Sequence, residues 1–507
     1  MTYTALHFNA VIGFYNCLSY YVKILNKIIL CEENTKNIKV IMSSRLTFVK
    51  CKQIRWYSTK QKMKVIDEVD ELLLTNQLKH RHHPGISSPR QVQHPSWLCD
   101  SIKALAGVNN ISLKQVQQGT KRLTSYLHER QLPKEADDIE TKIKDIKSHT
   151  KAININGMEE PIDHKELLKN PQVLKQLKGF IYSWKSINYD AFTSLVYLFG
   201  RSIPEYSVLY KIFNEIYTDD ENFTPKSLFD YGSGVGTVMW AASEFWNKSI
   251  KEYYCVDVSR FMNEFSEYLM KMAKPKINPH HVFYRQFFPA APIPTYDIVV
   301  SAYSLLELPD QKSRLEVISK LWNKTNHYLV IVEQGTAYGF RVITEARDFI
   351  LRHGRKDTRG VHVFSPCPHD LQCPIQIADY KFPCSFKIQY QTLPLAQKSE
   401  YKMELYSYVV LKKGKRSEND NQWPRIISPI LKRSKHVVCR MCTASGKFEE
   451  QIFTAWKNGK NTYRCARSSA WGDRLPFKFE EIKESEESED SDQFEDSSES
   501  EESEKTK

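Results

Sequence analysis

The feature that most constrains the fold is a run of alternating glycines where a short apolar strand gives way to a helix. It reads Asp230-Tyr-Gly232-Ser-Gly234-Val-Gly236-Thr and follows the apolar stretch 227–231. Glycines at such a crossing let the backbone turn and approach a ligand without a Cβ clash, and the following helix N-terminus offers unpaired N–H groups. The spacing therefore predicts a cofactor pocket at the carboxyl end of a buried strand.

Further buried strands are predicted downstream, over 252–257, 296–301 and 328–333, each separated from the next by a helical stretch. This alternation is typical of a doubly wound parallel sheet. Two later stretches, 385–390 and 406–411, would complete the sheet, the last as an antiparallel pair. The sequence thus predicts an α/β, Rossmann-like fold, and a chain of 507 residues with 41% hydrophobic residues is not wholly disordered.

The glycine pattern resembles the S-adenosylmethionine site of class I methyltransferases more than a dinucleotide site. A dinucleotide site favours G-x-G-x-x-G, whereas this run begins with an acid, and a second acid, Asp257, ends the next predicted strand. In this resemblance the turn lies against the amino-acid part of S-adenosylmethionine. Asp257 holds the ribose hydroxyls, and Asp297 lies near the fourth strand, where chemistry is usually done. The implied fold is that of a class I methyltransferase.

Catalytic side chains of the familiar methyltransferase kinds are absent from the sequence after the fourth strand. The turn there reads 301–308 Ser-Ala-Tyr-Ser-Leu-Leu-Glu-Leu rather than Asn/Asp-Pro-Pro-aromatic, and no cysteine occurs between Cys255 and Cys367 to serve as a nucleophile. Glu307 and Glu333 remain candidate bases, although a surface or helix-capping role fits each better. We therefore assign no catalytic residue, and catalysis by proximity and desolvation alone stays open.

The residues before the glycine run predict a helical N-terminal domain over 63–217. Apolar residues recur at helical spacing, and proline or glycine interrupts the pattern where helices are expected to break. The stretches 190–200 and 204–217 are interpreted as two packed helices that lead into the sheet.

The first 62 residues predict a mitochondrial targeting region. No acid occurs between Glu33 and Asp67, while nine Lys or Arg do, and such a basic, acid-free composition is typical of a transit peptide. A disordered basic tail is the alternative. Met42 would serve as a start codon, in which case residues 1–41 would be an over-extension of the gene model. Polar residues interrupt the apolar run 1–30, so no membrane helix is predicted there.

Cysteines cluster in the C-terminal third of the chain, which holds six of the eleven. This number and placement do not suit a disulfide scaffold and indicate a metal or cluster site in a reducing compartment. Prolines flank several of these cysteines, a habit of iron–sulfur proteins. Four thiolates could come from Cys367, Cys373, Cys384 and Cys442. A Cys₄ zinc site using Cys439-x-x-Cys442 is an equal alternative, and unligated buried thiols are a third interpretation.

Basic residues follow the sheet and predict an RNA-binding surface. Between residues 412 and 440 there are nine Lys or Arg and two acids, with Trp423 in the middle, although such a run is often only a solvated face. The predicted RNA-binding residues are Lys412, Lys413, Lys415, Arg416, Lys432, Arg433, Lys435, Arg464 and Arg467.

The last segment of the chain, 480–507, is acidic, with 14 acids and three Lys, and its composition predicts disorder. Residues 63–479 carry a net charge of +15. We hypothesise that the acidic segment competes with RNA for the basic surface. Deleting it should strengthen nonspecific RNA binding at low salt, and an unchanged affinity would refute the hypothesis.

The order of these motifs resembles the methyltransferase-like family of mitochondrial small-ribosomal-subunit assembly factors. The most specific parts are 365–374 Ser-Pro-Cys-Pro-His-Asp-x-x-Cys-Pro, 436–442 His-Val-x-Cys-x-x-Cys and 463–473 Tyr-Arg-Cys-Ala-Arg-x-Ser-x-Trp-Gly-Asp. The resemblance covers about 63–478 and implies a matrix protein that binds ribosomal RNA and ribosomal proteins. It further implies a [4Fe-4S] cluster on Cys367, Cys373, Cys384 and Cys442, with methyltransferase activity lost. An active methyltransferase of the small-subunit RNA is the alternative.

The sequence therefore predicts five segments in a monomer that has no membrane partner. The segments are a targeting region 1–62, a helical domain 63–217, a methyltransferase-like domain 218–411 with a cysteine-rich insertion 360–385, a basic, cysteine-bearing β extension 412–479 that completes the iron–sulfur site, and an acidic tail 480–507.

Overall fold

The computed structural model describes residues 62–479, apart from 109–111, 152–170, 182–184, 275–276, 278, 280, 290–293, 355–358, 379, 381, 395–397 and 418–419. The predicted targeting region and acidic tail lie outside the described residues. None of the helices in the described ranges combines the length and apolar composition that a membrane crossing requires.

Strands alternate with helices through the middle of the chain and dominate its C-terminal part. The strands are β1 Met63–Val65, β2 Gln91–Val92, β3 Ser227–Tyr231, β4 Glu252–Val256, β5 His281–Arg285, β6 Tyr296–Ala302, β7 Thr325–Gln334, β8 Val361–Ser365, β9 Phe386–Gln391, β10 Tyr401–Lys413, β11 Arg425–Ile426, β12 Leu431–Lys432, β13 His436–Cys442, β14 Phe448–Thr454 and β15 Phe477–Phe479. The helices are α1 Asp67–Leu74, α2 Leu98–Val108, α3 Leu113–Glu129, α4 Ala136–Lys151, α5 Pro171–Ile181, α6 Ala191–Asp219, α7 Thr237–Trp246, α8 Arg260–Met272, α9 Gln311–Lys324, α10 Ala337–Gly354, α11 Pro374–Ile377, α12 Ala455–Asn458 and α13 Lys460–Ser468.

The central sheet runs in the order β2-β9-β10-β7-β6-β3-β4-β5, with β8 also paired to β10. Strands β3 to β7 are parallel, whereas β10 is antiparallel to β7, β8 and β9. The predicted doubly wound sheet with a final antiparallel pair is confirmed. The strand order reverses beside β3, so the carboxyl ends of β3 and β6 border the crevice where ligands bind in such sheets.

Strands β5 and β8 of the central sheet were not predicted from the sequence. The edge strand β5 has no fully buried residue, because its side chains alternate between exposed and half-buried, so it lacks an apolar signal. Strand β8 places a histidine at a buried position between two valines.

Helices cover both faces of the sheet. Buried side chains of α2, α6, α7 and α8 form one apolar layer, and those of α9 and α10 form the other. The helices thus bury both faces of the parallel strands, as the near-continuous apolar strand sequences require.

The prediction of two packed helices over 190–200 and 204–217 is wrong, because α6 is one continuous helix with Pro204 inside it. Asp190 caps the helix by accepting a hydrogen bond from Thr193 N at 2.8 Å. Pro204 removes one helical hydrogen bond, a cost that usually ends a helix. Here α6 is buried along most of its length, so its packing outweighs the missing bond.

The N-terminal region is not purely helical. Strand β1 pairs with β15, and β2 adds to the central sheet beside β9. Both are too short to show a period-two pattern. Met63 and Val65 of β1 belong to a separate apolar cluster with the small antiparallel sheet β11–β14.

Candidate cofactor pocket and cysteine site

The glycine-rich turn joins β3 to α7 and adopts a left-handed backbone at each glycine. The φ angles are +72° at Gly232, +49° at Gly234 and +92° at Gly236. A Cβ on Gly232 would lie 2.4 Å from the Cβ of Ser304, so only glycine fits this close approach. The turn therefore brings backbone N–H groups to the carboxyl end of the sheet.

Asp257 closes this turn from the end of β4. Its carboxylate accepts hydrogen bonds from Gly234 N at 2.9 Å and from Ser259 N at 2.8 Å. Burial raises the pKa of Asp257, and these two N–H donors oppose that rise. The same carboxyl group lines the adjacent pocket, so it both fixes the turn and faces a ligand.

A pocket of about 400 Å³ lies against the turn, within the range typical of small-molecule sites. It brings together three of the predicted cofactor residues, Gly232, Gly234 and Asp257. Aromatic and apolar side chains form much of the remaining wall: Tyr189, Tyr197, Tyr231, Phe287, Phe288, Tyr303 and Leu308.

Asp230 and Gly236 do not line the pocket. Asp230 is fully buried beneath the turn, and neither carboxyl oxygen has a hydrogen-bond partner among the described residues. Burial, followed by the nearby Asp257, raises the pKa of Asp230 well above its ordinary range. Gly236 is the N-cap residue of α7, so its role is to begin the helix.

The prediction that Asp297 lies beside the chemistry is wrong. Asp297 is the second residue of β6, at the amino end of the strand, whereas the pocket lies at the carboxyl ends. Its carboxylate accepts hydrogen bonds from Lys226 N at 2.7 Å and from Asn326 Nδ2 at 3.1 Å. An aspartate at the start of a strand cannot reach the opposite edge of the sheet, so Asp297 has a structural role.

Side chains from the N-terminal region close the far side of the pocket. Arg130, which is buried, forms an ion pair with Glu307 and donates to Lys185 O at 3.1 Å. The Tyr189 hydroxyl lies 3.5 Å from the same glutamate, and Ser259 Oγ donates to Tyr189 O at 2.7 Å. Burial raises the pKa of Glu307, and Arg130 opposes that rise. Glu307, a residue of the pocket wall, is thus tied to the N-terminal region.

Glu333 caps the short 3-10 turn Leu305–Glu307 that follows β6. Its Oε1 accepts from Leu305 N at 2.9 Å and Leu306 N at 3.3 Å. Burial raises the pKa of Glu333 to about 8, and the two N–H donors limit the rise. This agrees with the capping role predicted for it.

Tyr303 is a pocket residue that the sequence analysis missed. Its φ is +56°, in the left-handed region that side chains other than Gly, Asn and Asp rarely adopt. Its hydroxyl is buried without a hydrogen-bond partner in the described ranges, and its ring lies under the guanidinium of Arg201 at 5.7 Å. The signal was its position directly after the fourth parallel strand, where backbone strain often marks a functional site.

The four predicted ligand cysteines lie close enough together to affect one another's pKa values. Cys367 follows β8, Cys373 is the N-cap residue of α11, Cys384 precedes β9, and Cys442 ends β13. Burial raises the pKa of Cys384 well above its ordinary range, and Cys367, Cys373 and Cys442 raise it further. The same two causes raise the pKa of Cys373 to about 11.

Cys439 does not join this group. It lies three residues from Cys442 on β13, and residues at odd spacing on a strand point to opposite faces. Cys439 packs into the separate apolar cluster with Met63 and Phe453, and burial raises its pKa to about 12. Of the two cysteines in the Cys-x-x-Cys pair, the structure therefore brings Cys442 to the others.

Two buried arginines and a buried histidine flank the cysteine loop. Arg347 donates to His369 O at 3.1 Å and to Leu371 O at 2.6 Å, which fixes the loop between Cys367 and Cys373. His369 Nε2 lies 3.2 Å from Cys442 Sγ. Arg425 forms an ion pair with the buried Glu215, and its charge opposes the rise in the pKa of Cys442. Positive charge thus adjoins the thiols on both sides.

Across the described part of the chain, no three His, Cys, Asp or Glu side chains converge closely enough to hold a single metal ion. A tetrahedral zinc site needs sulfurs about 3.8 Å apart, because each lies about 2.3 Å from one ion. The cysteines as placed do not fit a zinc ion. A [4Fe-4S] cluster binds each thiolate to a different iron, so its ligands stand farther apart.

The predicted RNA-binding residues divide into engaged and exposed cations. Lys412 pairs with Asp220 at 2.7 Å, and Arg416 pairs with Asp370 at 2.9 Å. Lys413 lies 4.8 Å above the ring of Trp322. These three side chains are therefore engaged near the end of β10, and RNA binding by them stays a prediction.

The other predicted cations lie nearer the small sheet or on exposed turns. Lys432, Arg433, Lys435, Arg464 and the separate Lys415 are exposed. Arg467, on α13, donates to Arg433 O at 2.7 Å and so joins the helix to the β12–β13 hairpin. Burial, then Arg90 and Arg467, lowers the pKa of Lys432, which indicates that these cations are crowded together.

Trp456 is the aromatic residue that best accompanies these cations. Its side chain is 86% exposed. It lies in α12, which directly follows β14, and the last residue of β14, Thr454, pairs with His436 of β13. Trp423 and Trp471, the tryptophans that the sequence placed on this surface, are half-buried. Trp423 lies against Arg474, and Trp471 against Lys387.

The strand order and the glycine-rich pocket together define a protein with the class I methyltransferase fold. A family model described as mitochondrial small ribosomal subunit Rsm22 matches residues 191–476, more than half of the chain. The chain therefore belongs to the mitochondrial small ribosomal subunit Rsm22 family.

Relatives in two organisms are described as ribosome assembly proteins. The human mitochondrial ribosome assembly protein METTL17 is 37% identical over 78% of this chain and 86% of the human protein. The mitochondrial ribosome assembly protein RSM22 of Saccharomyces cerevisiae is 23% identical over 35% of this chain and 44% of the yeast protein. Among solved structures, the Synechocystis magnesium protoporphyrin IX methyltransferase matches 51% of this chain and 100% of its own, with 11% identity and a TM-score of 0.28.

Proposed function

We propose that this chain is an assembly factor of the mitochondrial small ribosomal subunit, acting in the matrix. It binds ribosomal RNA and ribosomal proteins through its cysteine-bearing C-terminal extension, and it holds S-adenosylmethionine without transferring the methyl group. One observation carries this proposal: Glu307 of the pocket wall is paired with the buried Arg130, whereas the cations just before β13, the strand that ends at Cys442, are exposed. The names of the human and yeast relatives support it.

The pocket residues fit S-adenosylmethionine. Gly232 admits the close approach of Ser304, Gly234 leaves open space beside the turn, and Asp257 lines the pocket after the end of β4, where its carboxyl group suits ribose hydroxyls. When bound, S-adenosylmethionine supplies an electrophilic methyl group. The residues of this chain would bind it, with the aromatic side chains of the pocket wall beside it.

Methyl transfer needs a group that accepts a proton or polarises the acceptor, and the carboxylates near the pocket are already engaged. Glu307, a residue of the pocket wall, is paired with the buried Arg130. Glu333 is engaged with two backbone N–H groups, which leaves it poorly placed to accept a proton. These contacts support binding without catalysis.

For the cysteine site we propose a [4Fe-4S] cluster held by Cys367, Cys373, Cys384 and Cys442. Cys367, Cys373 and Cys442 all act on the pKa of Cys384, which places the four thiols near one another, and Arg347 and Arg425 offset the negative charge of four thiolates. Cys442 lies on the same strand as the exposed hairpin, since β13 runs from His436 to Cys442. A cluster would therefore hold that hairpin against the central domain.

The RNA surface is proposed to comprise the hairpin cations and Trp456. Lysine and arginine side chains position a protein on the phosphate backbone, and an exposed tryptophan stacks on unpaired bases. Lys432, Lys435 and Arg464 satisfy the first requirement, and Trp456 the second.

Iron and acid-labile sulfide on the anaerobically purified full chain test the cluster. About four of each per chain are expected for [4Fe-4S]. Stoichiometric zinc without iron would refute the assignment.

Binding and methyl transfer on the same small-subunit RNA test the function. The full chain should bind the RNA with strong salt dependence, and tritiated S-adenosylmethionine should leave no label on it. Incorporation that depends on Asp257 would instead establish the alternative, an active RNA methyltransferase.

A further inference from the structure

A cavity of about 720 Å³, larger than the cofactor pocket, lies between α3, α6 and the β9–β10 hairpin. We call it the hairpin cavity. It shares none of its lining residues with the cofactor pocket or the cysteine site, and the proposed function does not use it. Its volume lies within the range of small-molecule sites.

The floor of the hairpin cavity is a rigid network of buried charges. Arg201 is 1% exposed and donates to Glu404 at 2.8 Å and to Glu205 at 3.3 Å. Because both carboxylates lie against this one guanidinium, the floor has no excess positive charge. It gives the cavity a fixed shape and does not itself attract an anion.

The α6 wall presents a hydrogen-bond acceptor to the cavity. Pro204 has no N–H to donate to the carbonyl of Gly200 four residues earlier, and both residues line the cavity. The opposite wall adds hydroxyl groups from α3, at Thr124 and Ser125. A ligand with N–H groups therefore finds acceptors along these walls.

The rim of the hairpin cavity is cationic. Lys121, Lys398 and Lys402 line it together with Glu400, whose Oε2 lies 4.0 Å from Lys402 Nζ. With Arg201 and Glu404 of the floor included, the charged lining residues carry a net charge of +2 at neutral pH, which favours a phosphate group. Phe199 and Tyr390 add aromatic surface on which a base can stack.

We propose that the hairpin cavity binds a nucleotide, with its phosphate at the lysine rim and its base N–H groups toward the Gly200 carbonyl. The shared chemistry is a phosphate and a planar base with hydrogen-bond donors. A free mononucleotide and one nucleotide unit of an RNA strand both satisfy it. The proposal stands apart from the RNA surface on the β12–β13 hairpin.

Titration of the full chain with guanosine monophosphate and with a single-stranded oligoribonucleotide tests this site. Lys121→Gln and Lys398→Gln should each weaken binding of at least one probe about ten-fold, because each removes a charge-assisted hydrogen bond to phosphate. The matched control is Lys178→Gln, an exposed lysine on α5 outside the cavity, which should change neither affinity.

The two probes distinguish the sources. Weakened binding of guanosine monophosphate indicates a free nucleotide, whereas weakening confined to the oligoribonucleotide indicates an RNA strand. Absence of binding by both probes, or unchanged affinities in both lysine variants, would overturn the proposal. Lys432→Gln combined with Lys435→Gln tests the separate RNA surface and should leave guanosine monophosphate binding unchanged.

Discussion

The cofactor pocket and the cysteine site are both assembled from chain segments far apart in sequence, but they leave different groups exposed. In the pocket, Glu307 is paired with Arg130 and Glu333 is engaged with backbone N–H groups. At the cysteine site, the thiols adjoin buried arginines, and the strand that ends at Cys442 begins beside exposed lysines. In the proposed function, the pocket holds its ligand within the fold, whereas the C-terminal extension contacts a partner.

The largest effect is expected from Cys384→Ala. Removing one of four cluster ligands should lower the bound iron from about four per chain to well below one, with loss of RNA binding as the hairpin is released. Iron analysis and filter binding to small-subunit RNA measure both.

Cys439→Ala is the matched control, because Cys439 is equally a cysteine near the site but points into a different core. It should retain its iron. Loss of iron in Cys439→Ala together with retention of iron in Cys384→Ala would show that the proposed ligand cysteines are wrong.

The second effect concerns the pocket alone. Gly234 has a left-handed backbone and open space around its missing Cβ, and asparagine tolerates this conformation. Gly234→Asn should therefore fold, place its side chain in the cofactor space, and weaken S-adenosylmethionine binding at least ten-fold by calorimetry. RNA affinity of the same variant should be unchanged; a parallel loss would show that the two regions work as one.

The third effect tests whether Glu333 is structural. Its folded pKa of about 8 lies above the ordinary value of 4.5, so the folded state holds a proton that the unfolded chain has released at intermediate pH. Stability from this group is therefore full below about pH 4.5 and decreases as the pH rises to about 8. Glu333→Gln preserves an acceptor oxygen and should flatten this dependence, making the variant the more stable protein near pH 8.

Urea unfolding between about pH 5 and pH 8 measures the Glu333 effect. A variant with the same pH slope as the natural chain would contradict the assigned pKa. Methyl transfer that disappears in Glu333→Gln would identify a catalytic base instead.

The smallest effect separates exposed from engaged cations. Lys432→Gln combined with Lys435→Gln should reduce the slope of log affinity against log salt by about 0.7–0.9 for each lysine that contacts a phosphate. Lys412→Gln is the control, because Lys412 is paired with Asp220. Equal slopes for the two variants would contradict the division into exposed and engaged cations.

Most of the sheet was predictable because β3, β4, β6 and β7 are short apolar runs followed by turns, and the glycine run marks the first crossing. Features that depend on distant partners were not. Arg130 and Glu307 are 177 positions apart, and nothing local in either segment signals their pairing. Pro204 signals a helix end, yet burial of α6 overrides it.

The site residues show the same division. Cys367 and Cys373 lie in a proline-rich loop whose local sequence indicates ligands, whereas the choice between Cys439 and Cys442 depends on which face of β13 each occupies. Asp297 was misplaced because it is the second residue of its strand, at the amino end, whereas the pocket lies at the carboxyl ends of the strands. Lys412 and Arg416 were counted as open cations because their acidic partners come from other segments.

The most direct test compares the two regions in mitochondria that depend on this chain. Small-subunit assembly is followed by gradient sedimentation in cells expressing Gly234→Asn or Cys384→Ala, with equal amounts of each protein verified. The account predicts normal small subunits with Gly234→Asn and deficient ones with Cys384→Ala. Deficient assembly with Gly234→Asn and normal assembly with Cys384→Ala would contradict it.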